Sequence, residues 1–169
     1  MTAANISLAR KWFGDFIAYR LKQQDDQATV SLVPIPSKDA LPVAMSYRSL
    51  DMVRDAMAKQ TQPHEVLDAI RWTEQLTKAH EGGDRGRQFM RQRLKPHTNI
   101  KAKTVILVDD LISTGSSMLA VKDVLEDAGA TVLGGIACGK TVYDFHFKPF
   151  GMQHFEFDKE MHEYQPAEI

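Results

Sequence analysis

Along the chain, apolar positions fall into blocks whose spacing alternates between the period of a helix and that of a buried strand. From Ile6 to Lys22, Leu8, Trp12, Phe16 and Tyr19 recur at helical spacing with Phe13 and Ile17 beside them. That predicts an amphipathic N-terminal helix within residues 1–22, packed on a sheet or at a subunit contact. Thr29 to Ile35 is a short apolar run closed by Pro34 and Pro36, the pattern of a strand buried on both faces. Ser46 to Lys59 returns to helical spacing, with Leu50, Val53 and Met57 turned inward. Glu65 to Trp72 predicts a short strand and Asp84 to Leu94 a helix stopped by Pro96, with a loop ending in Gly82-Gly83 between them.

The strongest unit runs from Lys103 to Met118, KTVILVDDLISTGSSM. Val105, Ile106, Leu107 and Val108 make a buried strand with Asp109 and Asp110 at its carboxyl end. Small hydroxylated residues follow, and then a helix that closes at Gly129. Ala130 to Ala137 reads as a further parallel strand, and the β-α-β alternation predicts an α/β fold: an open, mostly parallel sheet flanked by helices. The tail alternates Tyr143, Phe145 and Phe147 against polar neighbours and resumes at Phe155 and Phe157. This predicts a C-terminal β-hairpin over 140–158, ahead of a frayed end at 160–169.

Composition narrows the picture. A chain of 169 residues, 43% hydrophobic, has room for one domain with a substantial core. Its net charge of −1 gives no electrostatic case for nucleic acid or membrane. The lone Cys138 excludes a disulfide framework or a cysteine-based zinc site and fits a reducing cytoplasm. No apolar run approaches the roughly 18–20 residues that span a bilayer, and Gly14 and Asp15 interrupt any leader-like segment at the start.

The chemistry concentrates where that strand ends. Ligands of open α/β sheets collect at the carboxyl ends of strands. A loop with glycine and hydroxyls that opens a helix offers free N–H groups and a positive dipole end to a phosphate. Two carboxylates just upstream can accept from vicinal ribose hydroxyls or hold a hydrated Mg²⁺. Together these residues describe a site for a sugar phosphate.

The same stretch resembles the phosphoribosyl-diphosphate (PRPP) signature of type I phosphoribosyltransferases. The resemblance implies that fold, and the transfer of a phosphoribosyl group from PRPP with Mg²⁺ to a small nitrogen acceptor, in the cytoplasm. It gives Asp109 and Asp110 the ribose hydroxyls and the metal, the latter directly or through water. The 5-phosphate falls to Ser113, Thr114, Gly115, Ser116 and Ser117. Ser37-Lys38-Asp39, at the end of the preceding strand, takes the place of the family's diphosphate loop, with Ser37, Lys38, Arg71 and Arg85 as diphosphate ligands. The hairpin is placed as a hood over the acceptor, and the N-terminal helix offers a contact for a homodimer. The order of motifs is loosely similar to the ComF-like group related to amidophosphoribosyltransferase, without that group's N-terminal zinc ribbon. Ser113 stands where hypoxanthine-guanine relatives carry an aspartate, which implies an acceptor other than a 6-oxopurine.

Other motifs compete. Gly134 to Thr141 (GGIACGKT) fits the P-loop pattern letter for letter. A β-branched, aromatic stretch follows it where a P-loop needs a helix, so it reads as a strand. The histidines have no zinc-site spacing. Arg85, Arg87, Arg91, Arg93 and Lys95 make a basic helix that serves either as a solvated face or as a diphosphate contact. Two further classes stay open: a non-catalytic PRPP or nucleotide sensor, and an interaction subunit that binds no PRPP.

Overall fold

A computed structural model describes residues 2–23, 30–61, 64–76 and 86–141. Arg85 and the predicted hairpin, hood and tail beyond Thr141 lie outside the described residues, as does the Gly82-Gly83 loop. The described elements run α1 (Ala3–Lys22), β1 (Ser31–Pro34), α2 (Arg48–Met57), β2 (Ile70–Trp72), α3 (Arg87–Arg93), β3 (Leu94–Pro96), β4 (Thr104–Ile112), α4 (Ser116–Asp127) and β5 (Thr131–Lys140). No described helix is long and apolar enough to cross a membrane.

The predicted parallel sheet is present, in the order β1-β4-β5. Its central strand alternates between two cores. Val105 and Leu107 join Val33, Met118, Val121 and Leu125 on one face, while Ile106 and Val108 join Leu32, Phe13, Ile17 and Val53 on the other. Such two-sided burial is what a continuous apolar run encodes. β5 feeds both cores through a bulge. Val105 pairs with Val132 but Ile106 with Gly134, so Leu133 is skipped and left half exposed. Residues of equal parity share a strand face, and the extra residue lets Val132 and Ile136 serve opposite cores.

Two expectations are corrected. The N-terminal helix forms but turns a different face inward: Phe13 and Ile17 are buried, whereas Trp12 is 65% exposed and Leu8 and Tyr19 are about half exposed. α1 sits tightly on α2, and a Cβ at Gly14 would lie 2.2 Å from the Ala56 carbonyl oxygen. The close approach rotates the 13/17 face onto the core and leaves the 8/12/19 face outside. Second, Pro96 does not stop a helix. The chain leaves α3 at Arg93 and continues as β3, which pairs antiparallel with β2 in a separate ribbon that periodicity did not foresee. β4 runs through Asp109 and Asp110 to Ile112. The GGIACGK stretch lies within strand β5, as its residue types predicted.

Candidate functional site

The end of β4 opens into a cleft of about 260 Å³ lined by Asp109, Leu111, residues 112–118 and Met90. All five predicted phosphate-loop residues, Ser113 to Ser117, are on its wall. The loop takes its shape from its own sequence. Gly115 sits at φ +81°, a left-handed conformation that a Cβ disfavours, and it precedes the first turn of α4. Thr114 Oγ1 accepts from the Ser116 N–H at 3.3 Å and lies 3.0 Å from Ser116 Oγ. The first regular helical bond is Leu119 N–H to the Gly115 carbonyl, so the N–H groups of Ser117 and Met118 have no intrahelical partner. With no acid in that first turn, the positive end of α4 faces the cleft uncompensated.

The two aspartates are held differently, because consecutive strand residues point to opposite faces. Asp109 shares the parity of Val105 and Leu107 and lines the cleft beside the α4 terminus. Burial raises its carboxyl to about 7, with the neighbouring Asp110 charge adding to the shift. The Asp110 N–H donates to Asp109 Oδ1 at 2.9 Å. Asp110 is exposed, on the face of Ile106 and Val108. Its charge, after burial itself, helps push the Cys138 thiol up to about 11. The predicted pair is therefore one half-buried carboxylate on the cleft wall and one exposed carboxylate on the opposite face of the strand.

The second predicted loop adjoins the same strand end, since β1 pairs with β4 up to Pro34–Val108 and Ile35 N–H donates to the Val108 carbonyl at 2.8 Å. Of its candidate ligands, Lys38 is exposed. Ser37 is tied back to α2: its N–H donates to Ser49 Oγ at 3.1 Å and its hydroxyl accepts from Ser49 N–H at 3.2 Å. Arg71 is 4% exposed and committed to the protein. Its guanidinium forms a fork with Asp68, at 3.1 and 2.5 Å, and donates to the carbonyls of Leu41 and Ala44. Tyr47 lies beneath it, 5.7 Å from the ring centroid. A guanidinium so bonded acts as a strut: four of its five N–H donors go to two carbonyls and to the partly buried Asp68 carboxylate.

The basic helix is likewise paired. Arg87 forks onto Asp123 at 2.7 and 2.6 Å, Arg91 reaches Asp127 at 2.6 Å, and Arg93 reaches Glu74 at 2.7 Å while stacking on Phe89. The first two ladder α3 to α4. They bring Met90 to the cleft, where its sulfur accepts from Ser117 Oγ at 3.3 Å. Sequence reasoning missed Met90, because a methionine at helical spacing reads as core. It also missed Ser49 and Trp72, whose partners lie 12 and more residues away.

Mg²⁺ requires about six oxygen ligands. No group of three or more acidic, histidine or cysteine side chains that could hold a metal occurs among the described residues. On the cleft wall, Asp109 alone of the pair fits as one ligand of a hydrated ion that takes its other oxygens from water and a bound phosphate, not of a cation held by protein alone.

Residues 15–139 match the family model described as phosphoribosyl transferase domain. A segment of 37 residues is 54% identical to an orotate phosphoribosyltransferase of Staphylococcus haemolyticus, covering 22% of this chain and 18% of that protein. A segment of 33 residues is 61% identical to the orotate phosphoribosyltransferase of Levilactobacillus brevis, covering 20% and 16%. The matches thus span less than a fifth of those relatives' length. Among solved structures, a hypoxanthine phosphoribosyltransferase from Staphylococcus aureus aligns over 85% of this chain and 77% of that one, at 12% identity and a TM-score of 0.44.

Proposed function

Because this chain belongs to the phosphoribosyltransferase family, we propose that it binds PRPP with Mg²⁺ and transfers the 5-phosphoribosyl group to a nitrogen of a small acceptor, releasing diphosphate. The observation that carries the reading is the cleft at the end of β4. There a left-handed Gly115, four hydroxyls and the open end of α4 surround a space walled by Asp109. The 5-phosphate accepts from the loop's N–H and hydroxyl groups. Asp109 and Asp110 accept from the ribose hydroxyls and hold the sugar with its anomeric carbon toward the β1 loop, where Lys38 meets the diphosphate. As the C1–O bond to diphosphate breaks and the C1–N bond forms, positive charge grows on the sugar ring and negative charge on the leaving group. Fixed carboxylates and cations on either side stabilise that separation without reorganising. Bound Mg²⁺ supplies neutralisation of the departing diphosphate.

The short orotate phosphoribosyltransferase matches make orotate the first acceptor to test. Ser113 at the loop's first position argues against hypoxanthine and guanine, and appreciable turnover of either base refutes that point.

The alternative is a non-catalytic PRPP sensor with the same fold. Calorimetric titration of PRPP with Mg²⁺, into the wild type and into Asp109→Asn/Asp110→Asn, tests both. Binding to the wild type alone supports the site, and absence of binding to either sinks it. Release of diphosphate with an acceptor then separates enzyme from sensor.

A further inference from the structure

The β1 loop carries three backbone hydrogen bonds of its own, from the N–H groups of Ala40, Leu41 and Ala44 to the carbonyls of Ser37, Asp39 and Leu41, and is further bonded from outside. Residues Pro36 to Ala44 turn five carbonyl oxygens toward one dipeptide, Arg71-Trp72 of β2. The Trp72 indole N–H is shared between the carbonyls of Pro36 and Ser37, at 3.1 Å each. The Trp72 backbone N–H donates to the Ala40 carbonyl at 2.9 Å. Arg71 Nη1 serves the carbonyls of Leu41, at 2.7 Å, and Ala44. Both side chains are buried, and Asp68 fixes the guanidinium from the other side.

Carbonyl dipoles and anions repel, so a loop that is to meet a diphosphate must turn its carbonyls away from it. The loop's own bonds serve only the Ser37 and Leu41 carbonyls of the five; for those of Pro36, Ala40 and Ala44, water would serve as well as the protein. Here two buried donors draw the carbonyls inward, leaving the exposed Lys38 on the outer side. We propose that Arg71-Trp72 is a clamp that presents the Ser37-Lys38 segment to the diphosphate of the substrate. In this role both are positioning residues that touch no ligand. The inference rests on the assignment of the β1 loop to diphosphate under the proposed function.

The effect has a readout that loss of general stability does not share. PRPP and ribose 5-phosphate use the same phosphate loop on α4, and only PRPP carries the diphosphate. The ratio of their affinities therefore reports the β1 loop alone. Trp72→Phe keeps the buried ring and removes the shared N–H; Arg71→Lys keeps the charge and removes the fork. Titrating both ligands with Mg²⁺ into the full chain, we expect PRPP affinity to fall about tenfold in each variant, the scale of one hydrogen bond to a buried group. Ribose 5-phosphate affinity should stay within about twofold of wild type. Equal losses for the two ligands, or unchanged PRPP affinity in both variants, overturn the clamp. A wild type that binds PRPP no more tightly than ribose 5-phosphate overturns the diphosphate assignment itself, and the clamp with it.

Discussion

The loop after β4 and the loop after β1 end neighbouring parallel strands at the same edge of the sheet. The first is built from its own residues: a left-handed glycine, a threonine that bonds two residues ahead, and a helix terminus that follows at once. The second has backbone turns of its own but is held in place by distant residues. Ser49 ties its start to α2, and Arg71 and Trp72, some 30 residues downstream, gather its carbonyls. One loop is therefore sensitive to local conformation and the other to distant packing.

Substitution breaks each loop in its own way. Arg71→Met carries the largest expected effect. It removes the guanidinium fork from Asp68 and the side-chain donor from the Leu41 and Ala44 carbonyls, and should cost about 3–5 kcal/mol in urea unfolding. Loss below about 1 kcal/mol contradicts the account of Arg71 as a strut. Gly115→Val acts locally. A β-branched residue at φ +81° is strained by about 1–3 kcal/mol, and ribose 5-phosphate affinity should fall by on the order of tenfold or more while Trp72 remains packed. Retained affinity would show that the loop does not need the left-handed turn.

Asp109→Asn sharpens the comparison from the stability side. The folded protein holds this carboxyl at about 7, above the ordinary value, because of burial and then the Asp110 charge. The folded state thus keeps a proton that the unfolded chain has lost, and stability declines as pH rises from about 4 to about 7. In metal-free protein, Asp109→Asn should match wild type near pH 4 and melt higher at pH 8, by on the order of 5 °C. It should bind PRPP more weakly. A melting difference independent of pH contradicts the buried placement of Asp109. The smallest effect is expected for Arg91→Ala, whose ion pair with Asp127 is largely exposed and should be worth less than about 1 kcal/mol.

Much of the first loop was legible in the residues. Its hydroxyls, its glycine and the strand before it lie within one short stretch, and all five loop residues meet at one cleft. The opposite facing of Asp109 and Asp110 was less legible, because it depends on how far β4 continues before it turns. Arg71 illustrates the opposite case. Its charge suggested a ligand, while its burial against Asp68 and two carbonyls makes it a support, and nothing in its sequence neighbourhood announces that burial. The same holds for α1, where two overlapping apolar stripes compete and the approach of Gly14 to Ala56 decides between them.

The parallel sheet, the buried run of β4, the glycine- and hydroxyl-bearing loop after it and the strand character of the GGIACGK stretch were all written in the order of residues. Each follows from the period or the conformational preference of contiguous residues. Only the tertiary structure decided which face of α1 is covered, that Leu94–Pro96 pairs with Ile70–Trp72, and how the β1 loop is held. Those outcomes depend on which surfaces and donors meet across tens of residues, and a local pattern carries no record of that meeting.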